Sequence, residues 1–248
     1  MTDLNSTSSP ALRRALELLA DPPTEPDVAK GYLDLLGAGA VDDSSVPKST
    51  GVMQAVWASS IVAMIYDHIQ AVLRKLLTAF QSPVEWANFP RGGIMLDVGC
   101  GPASLTASLA RAAGTDGLVL GIDRSAAMLA RAVRVESGAQ IGFLRANAQQ
   151  LPLRDETVDA VVSVGVLQFM PDPAAALAEM ARVLRPGGRL AVVVPIIRHA
   201  ARFWRRLPSL DPYVFDVDEV GNTLRDHGLG GVRTKNFGSI QWVCAERG

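Results

Sequence analysis

The sequence predicts an α/β domain built on a mainly parallel sheet. Three observations carry this. From Gly93 onward, short apolar runs alternate with amphipathic helical stretches. The runs are apolar at nearly every position rather than at every second one, as strands covered on both faces require. The last two runs meet at Gly238, which leaves no room for a crossover helix, so they must be antiparallel.

Taken in order, strands are expected at residues 94–98, 118–123, 141–145, 159–164 and 189–194. Helices are expected between them at 105–113, 126–135 and 173–184. The last of these has clear punctuation: Asp172 can cap the free amides, Pro173 suits the first turn, and Pro186-Gly187-Gly188 should end it. A further helix at 218–227 precedes the antiparallel runs 232–237 and 239–245. Ahead of Gly93 the pattern is helical. A short helix at 11–20 is stopped by Pro22, Pro23 and Pro26, and a second is expected at 31–36. A long one at 52–80 repeats apolar residues three or four apart. The chain thus divides into an N-terminal helical extension, residues 1–92, and a main domain, residues 93–248.

Composition limits the function. The 248 residues are 48% hydrophobic and 20% charged, an ordinary globular profile with ample material for a core. Lys and Arg number 24 against 25 Asp and Glu, so no basic surplus exists to follow a nucleic-acid backbone or an anionic membrane surface. The longest apolar runs fall short of the roughly 18 residues that a membrane span needs. The acidic, hydroxyl-rich start does not read as a secretory signal, so stable membrane insertion is not expected and a cytoplasmic location is. Cys100 and Cys244 have no CxxC partner or His at ligand spacing, so neither a disulfide framework nor a metal site is expected.

The informative segment is Ile94-Met95-Leu96-Asp97-Val98-Gly99-Cys100-Gly101-Pro102-Ala103-Ser104, an apolar strand entering a small-residue turn that opens a helix. Glycines admit a ligand close to the backbone, and the helix start offers free amides. A dinucleotide fingerprint would place a third small residue after GxGxx and an anion at the helix start. Here Asp97 stands two residues before the first glycine, where a carboxylate repels pyrophosphate and welcomes a cation. Asp123, closing the next strand, can accept hydrogen bonds from ribose hydroxyls. The expected ligand carries a ribose and an amino cation but no phosphate, which disfavours a nicotinamide oxidoreductase.

These residues resemble the class I S-adenosylmethionine-dependent methyltransferases, specifically the small-molecule group that includes the quinone-biosynthesis enzymes. Asp97, Gly99 and Gly101 match the acidic glycine-rich motif, and Asp123 matches the ribose acid. Asn147-Ala148-Gln149-Gln150-Leu151-Pro152-Leu153 resembles the adenine loop, residues 159–173 the fourth strand and its turn, and Arg182-Val183-Leu184-Arg185-Pro186-Gly187-Gly188 the segment before strand five. The resemblance, which runs from about Gly93 to Glu246, implies a Rossmann-like seven-stranded sheet with an antiparallel terminal strand, and an N-terminal lid. It implies S-adenosylmethionine as cofactor and a small, apolar or lipid-like acceptor methylated at oxygen or carbon. It also implies a binding set of Asp97, Gly99, Cys100, Gly101, Asp123, Arg124, Met128, Asn147, Ala148, Ser163 and Val164, with Ser163 and Val164 near the methionine ammonium and Met128 on the adenine or ribose side.

Four positions depart from the family pattern. Ala103 replaces the third glycine, which suits alanine if φ is negative there. Asn147 replaces an Asp but keeps a carbonyl acceptor. Gln168-Phe169 stands where many relatives carry two histidines, which removes a possible base and makes the pocket more apolar. These substitutions leave room for a second reading, a cofactor-binding protein without transferase activity.

No catalytic base is assigned. His68, His199 and His227 are the candidates; His227, beside Gly228, reads as a helix-end residue. Tyr66 and Asp67 fall in the lid region. Trp57, Phe203 and Trp204 can line an acceptor pocket or fill a core, and Arg202, Arg205 and Arg206 can meet an anionic acceptor or water. Nucleic-acid amino-methyltransferases carry an acidic or amide residue, two prolines and an aromatic after the fourth strand, where this chain reads Ser163-Val164-Gly165-Val166. Asp21-Pro22-Pro23 lies elsewhere, so base methylation is not expected. Oligomeric state is open.

Overall fold

The apolar runs assemble as one eight-stranded sheet in the computed structural model, which describes residues 9–37, 89–136, 138–196 and 213–248. The strands are β1 (Leu33–Asp34), β2 (Ile94–Val98), β3 (Leu118–Asp123), β4 (Ile141–Arg145), β5 (Val158–Val164), β6 (Leu184–Pro195), β7 (Leu229–Phe237) and β8 (Ile240–Arg247). Their order is β1-β4-β3-β2-β5-β6-β8-β7, parallel from β1 to β6 and antiparallel for β8 and β7. The order reverses direction at β2, between β3 and β5, where ligands bind in open α/β sheets.

Both faces are covered because each central strand is apolar on both parities. Leu96, Leu120, Leu144 and Val192 share one core with α1 (Pro10–Leu18), α4 (Pro173–Val183) and α5 (Glu219–Asp226). Met95, Val119, Phe143 and Val162 face the other, against α2 (Ser104–Ala113) and α3 (Ala126–Val135). The helix starts follow sequence chemistry. The Asp172 side chain accepts from the Ala175 amide at 3.0 Å with Pro173 in the first turn, and the Ser125 hydroxyl accepts from the Met128 amide at 3.3 Å.

Two expectations need correction. The sheet has an eighth strand, because residues 31–36 are not helical: Leu33 and Asp34 pair with Leu144 and Arg145 on the open edge of β4. Tyr32 and Leu33 are buried there, so tertiary pairing overrides a weak helical preference. The Pro186-Gly187-Gly188 stretch lies inside β6 rather than after α4, since Leu184 already pairs with Val158 and the register shifts before Ala160. The extension joins the sheet through α1 and β1. Beyond α1, Leu19 bridges to Leu153, and the Ala20 amide donates to the Pro152 carbonyl at 2.9 Å. The expected long helix and lid at 52–80, with Trp57, Tyr66, Asp67 and His68, lie outside the described residues, as do His199, Arg202, Phe203, Trp204, Arg205 and Arg206.

Candidate functional site

The turn after β2 is shaped by backbone that side chains would spoil. Gly99 and Gly101 have φ of +75° and +51°. A methyl group added at Gly99 would lie 2.4 Å from both Cγ atoms of Val166, so the turn after β5 is packed directly on the glycine turn. The Gly99 and Cys100 amides both donate to the Ile122 carbonyl, at 2.7 and 3.0 Å, tying the turn to the end of β3. Ala103 is left-handed at φ +69°, contrary to the negative φ expected for it; the chain has to make the glycine conformation here because α2 must start immediately at Ser104.

Two carboxylates converge on this turn. Asp97 is 2% exposed, and its Oδ2 accepts from the Thr106 hydroxyl at 2.7 Å on the first turn of α2. Burial pushes its carboxyl up to about 7, and the nearby Asp123 charge adds to that while Thr106 opposes it. Asp123 accepts from the Gly101 amide at 2.9 Å through Oδ2 and from the Ser125 amide at 2.8 Å through Oδ1. Burial raises its carboxyl as well, against the pull of the Ser125, Gly101 and Arg124 amides. Among the described residues neither acid has an ion-pair partner. Each carboxylate oxygen of Asp123 keeps a further lone pair, so its two amide bonds do not exhaust its capacity to accept.

The other expected residues surround this pair in different ways. Cys100 is buried with its thiol pushed well up by burial and then by Asp123 and Asp97, which leaves it a small packing group. Arg124 presents its backbone carbonyl to Arg145 at 3.1 Å, and Met128 is buried. The Asn147 Oδ1 accepts from the Gln149 amide at 3.1 Å, so this side chain first closes its own turn, with Ala148 half-buried beside it. The Ser163 hydroxyl donates inward to the Val98 carbonyl at 3.1 Å, pinning β5 to the glycine turn, and Val164 is half-buried at the strand's end. His227 follows α5 as its C-terminal cap, away from this group in sequence and fold.

Three further residues matter here and were not foreseen, Thr106, Val166 and Arg145, and Gln168, read from the sequence only as the loss of a possible base, matters as well. Thr106 had a signal, a hydroxyl on the stripe shared with Leu109, Ala110 and Ala113. Gln168 follows β5 in a short turn (Leu167–Phe169), is 9% exposed, and leaves its Oε1 without a hydrogen-bond partner among the described residues. Among the described residues no cluster of His, Cys, Asp and Glu could hold a metal, and no helix is long and apolar enough to cross a membrane.

Residues 96–192 match the family model described as a methyltransferase domain, and residues 46–143 match that of protein-L-isoaspartate(D-aspartate) O-methyltransferase. A demethylmenaquinone methyltransferase of Bacillus licheniformis is 38% identical over 133 residues, 50% of this chain and 55% of the relative. A 2-phytyl-1,4-naphtoquinone methyltransferase of Thermosynechococcus vestitus is 39% identical over 53% of this chain and 60% of its own length. The chain therefore spans little more than half of these relatives. Among solved structures, a SAM-dependent methyltransferase from Aquifex aeolicus superposes with a TM-score of 0.53 at 26% identity, covering 70% of this chain and 88% of that one.

Proposed function

We propose that the chain, whose residues 96–192 match a methyltransferase domain, is a class I S-adenosylmethionine-dependent methyltransferase that moves the cofactor's methyl group to a small, apolar acceptor at carbon or oxygen. The observation that carries this reading is the buried Asp97 and the half-buried Asp123 meeting at a glycine turn with no cation of the protein's own among the described residues. Such a pair is poorly suited to a diphosphate and well suited to a ligand bearing an ammonium and a ribose. The left-handed glycines hold the turn in the shape this reading needs, because a side chain at Gly99 would collide with Val166 and force the turn and β5 apart.

In this reading Asp123 receives the ribose hydroxyls, Asp97 supplies the negative field for the ammonium, and Asn147 and Ala148 border the adenine. When bound, S-adenosylmethionine supplies an electrophilic methyl on a sulfonium centre. The chain's own part is alignment and exclusion of water. Val166 caps Gly99, Ser163 fixes the end of β5, and Leu167 closes the turn with a buried apolar side chain. The orphaned amide oxygen of Gln168 can hydrogen-bond an acceptor hydroxyl but cannot take its proton, so this position orients rather than deprotonates.

The compounds named in the relatives, demethylmenaquinone and 2-phytyl-1,4-naphthoquinone, are the first acceptors to assay in their reduced forms, whose unsubstituted ring carbon beside a hydroxylated one is nucleophilic and loses its proton when methylated. Calorimetric titration with S-adenosylmethionine should show one site, and S-adenosylhomocysteine should accumulate with an acceptor from this class. Binding without turnover across the panel would leave a cofactor-binding protein; no binding at all would remove the reading.

A further inference from the structure

We infer that the buried Asp34–Arg145 pair positions the turn that carries Asp123, which makes the N-terminal segment around β1 a working part of the cofactor site. The inference rests on the reading of Asp123 as the ribose acid. Residues 31–37 lie outside both matched family models, so nothing in those matches accounts for them.

Arg145 closes β4, and its guanidinium reaches in two directions. Its Nε donates to the Arg124 carbonyl at 3.1 Å. Its Nη1 donates to Asp34 Oδ2 at 3.1 Å and Oδ1 at 3.4 Å, and to the Gly37 carbonyl at 3.4 Å. The side chains are 9% and 3% exposed, so the pair is nearly dry. Asp34 is held in turn by its own segment, since Oδ1 accepts from the Leu36 and Gly37 amides at 3.1 Å each. Burial alone would raise the Asp34 carboxyl, but the hydrogen bond and charge of Arg145 and these amides bring it below its usual range, which keeps it ionised.

The backbone that follows the Asp123 side chain is thereby held at two successive carbonyls by the end of β4 and the residue after it. The Ala146 amide donates to the Asp123 carbonyl at 3.3 Å, and Arg145 holds the next carbonyl, that of Arg124. Asp123 then holds the Gly101 amide of the glycine turn. A continuous set of bonds therefore runs from Asp34 through Arg145 and the Arg124 carbonyl to both elements of the site. The Leu35 amide, donating to the Arg145 carbonyl at 3.1 Å, fastens the segment to the same residue.

Stability alone is a poor explanation for this pair. Two charges taken out of water stabilise a fold less than apolar residues of similar volume would, whereas one charge left without its partner is costly. A guanidinium here does what an apolar side chain cannot: it fixes the Arg124 carbonyl while its charge is neutralised from a second element.

The test compares the full chain with a double variant, Asp34→Leu with Arg145→Met, and with Arg145→Lys. The double variant keeps the buried volume and removes the bond to the Arg124 carbonyl. It should stay folded, melting no lower than either single variant, yet bind S-adenosylmethionine roughly tenfold more weakly, with kcat at saturating cofactor little changed. Arg145→Lys keeps the charge but cannot donate in both directions, and should also raise the cofactor KM. Hydrogen exchange on the wild-type chain needs no variant: adding S-adenosylmethionine should slow exchange of the Leu35 and Gly37 amides. Wild-type affinity in a folded double variant, or unchanged exchange at Leu35 and Gly37 when cofactor is bound, overturns the inference alone. Failure of the wild-type chain to bind S-adenosylmethionine overturns this inference together with the function it rests on.

Discussion

The two ends of the parallel strands, the edge where they start and the edge where they finish, treat acidic residues in opposite ways. Where β5 and β6 begin, the acids are matched by arginines: Asp159 by Arg185 at 2.9 Å, Glu156 by Arg247 at 3.2 Å, and Glu179 and Asp155 by Arg182 at 2.7 and 2.5 Å. Several of these groups also hold backbone, as Asp159 does with the Ile94 amide at 2.7 Å. Where β2 and β3 end, the buried Asp97 and the half-buried Asp123 stand together with no such match among the described residues. One edge is electrostatically closed and stabilises the fold. The other is left without a matching cation among the described residues, which is the feature the proposed cationic ligand would answer.

The largest expected effect comes from adding one methyl group at each edge. Gly99→Ala forces a Cβ into Val166 at φ +75°, so cofactor binding should be lost and urea denaturation should show a loss of about 3 kcal/mol. Gly187→Ala has the same φ with nothing within 4 Å, and should cost only about 1 kcal/mol of backbone strain with cofactor affinity unchanged. Equal effects at the two glycines would erase the distinction between the edges.

Next in size is the closed edge itself. Arg182 donates to the Leu151 and Leu153 carbonyls at 3.1 and 2.9 Å as well as to Glu179 and Asp155. Arg182→Ala should lower stability by about 2 kcal/mol, read as a shifted urea midpoint, because two carbonyls and two carboxylates lose a donor together.

The open edge should instead reveal itself through pH. With Asp97 pushed up to about 7, and Asp123 and Cys100 as its ionisable neighbours, a rise from pH 6 to 7.5 ionises it and should tighten S-adenosylmethionine binding about eightfold; Asp97→Asn should flatten that dependence. The sign for the unliganded fold is opposite. The folded state holds a proton that the unfolded chain releases near 3.8, so this group's stabilisation is full below that pH and is lost as pH rises through about 7. Affinity independent of pH in the wild-type chain would remove Asp97 from cation recognition.

The smallest effect is expected at an exposed pair on the closed edge. Arg189 and Glu246 stand 3.5 Å apart, with Glu246 54% exposed, and Glu246→Gln should change the urea midpoint by no more than about 0.5 kcal/mol.

Much of this was legible along the chain. The bounds of β2, β3, β4 and α3 follow from uninterrupted apolar runs and from capping chemistry at Ser125. Asp97, Gly99, Gly101 and Asp123 stand out because a strand end followed by glycines is a local pattern, readable without knowing what lies beside it. β1 was not legible: two residues carry no period, and their pairing exists because β4 offers a free edge. The left-handed Ala103 was equally hidden, since its φ answers to the junction of turn and helix rather than to its own preference.

By itself, then, the amino-acid order determined that apolar strands and helices alternate, and that acids and glycines sit at two successive strand ends. Short-range spacing and side-chain chemistry carry that much. Only the tertiary structure decided that Val166 would rest on Gly99, that Thr106 would take up Asp97, and that Asp34, 111 residues from Arg145, would neutralise the guanidinium holding the Arg124 carbonyl. Those partners meet across long stretches of chain, and no local pattern records a contact made only when the sheet assembles.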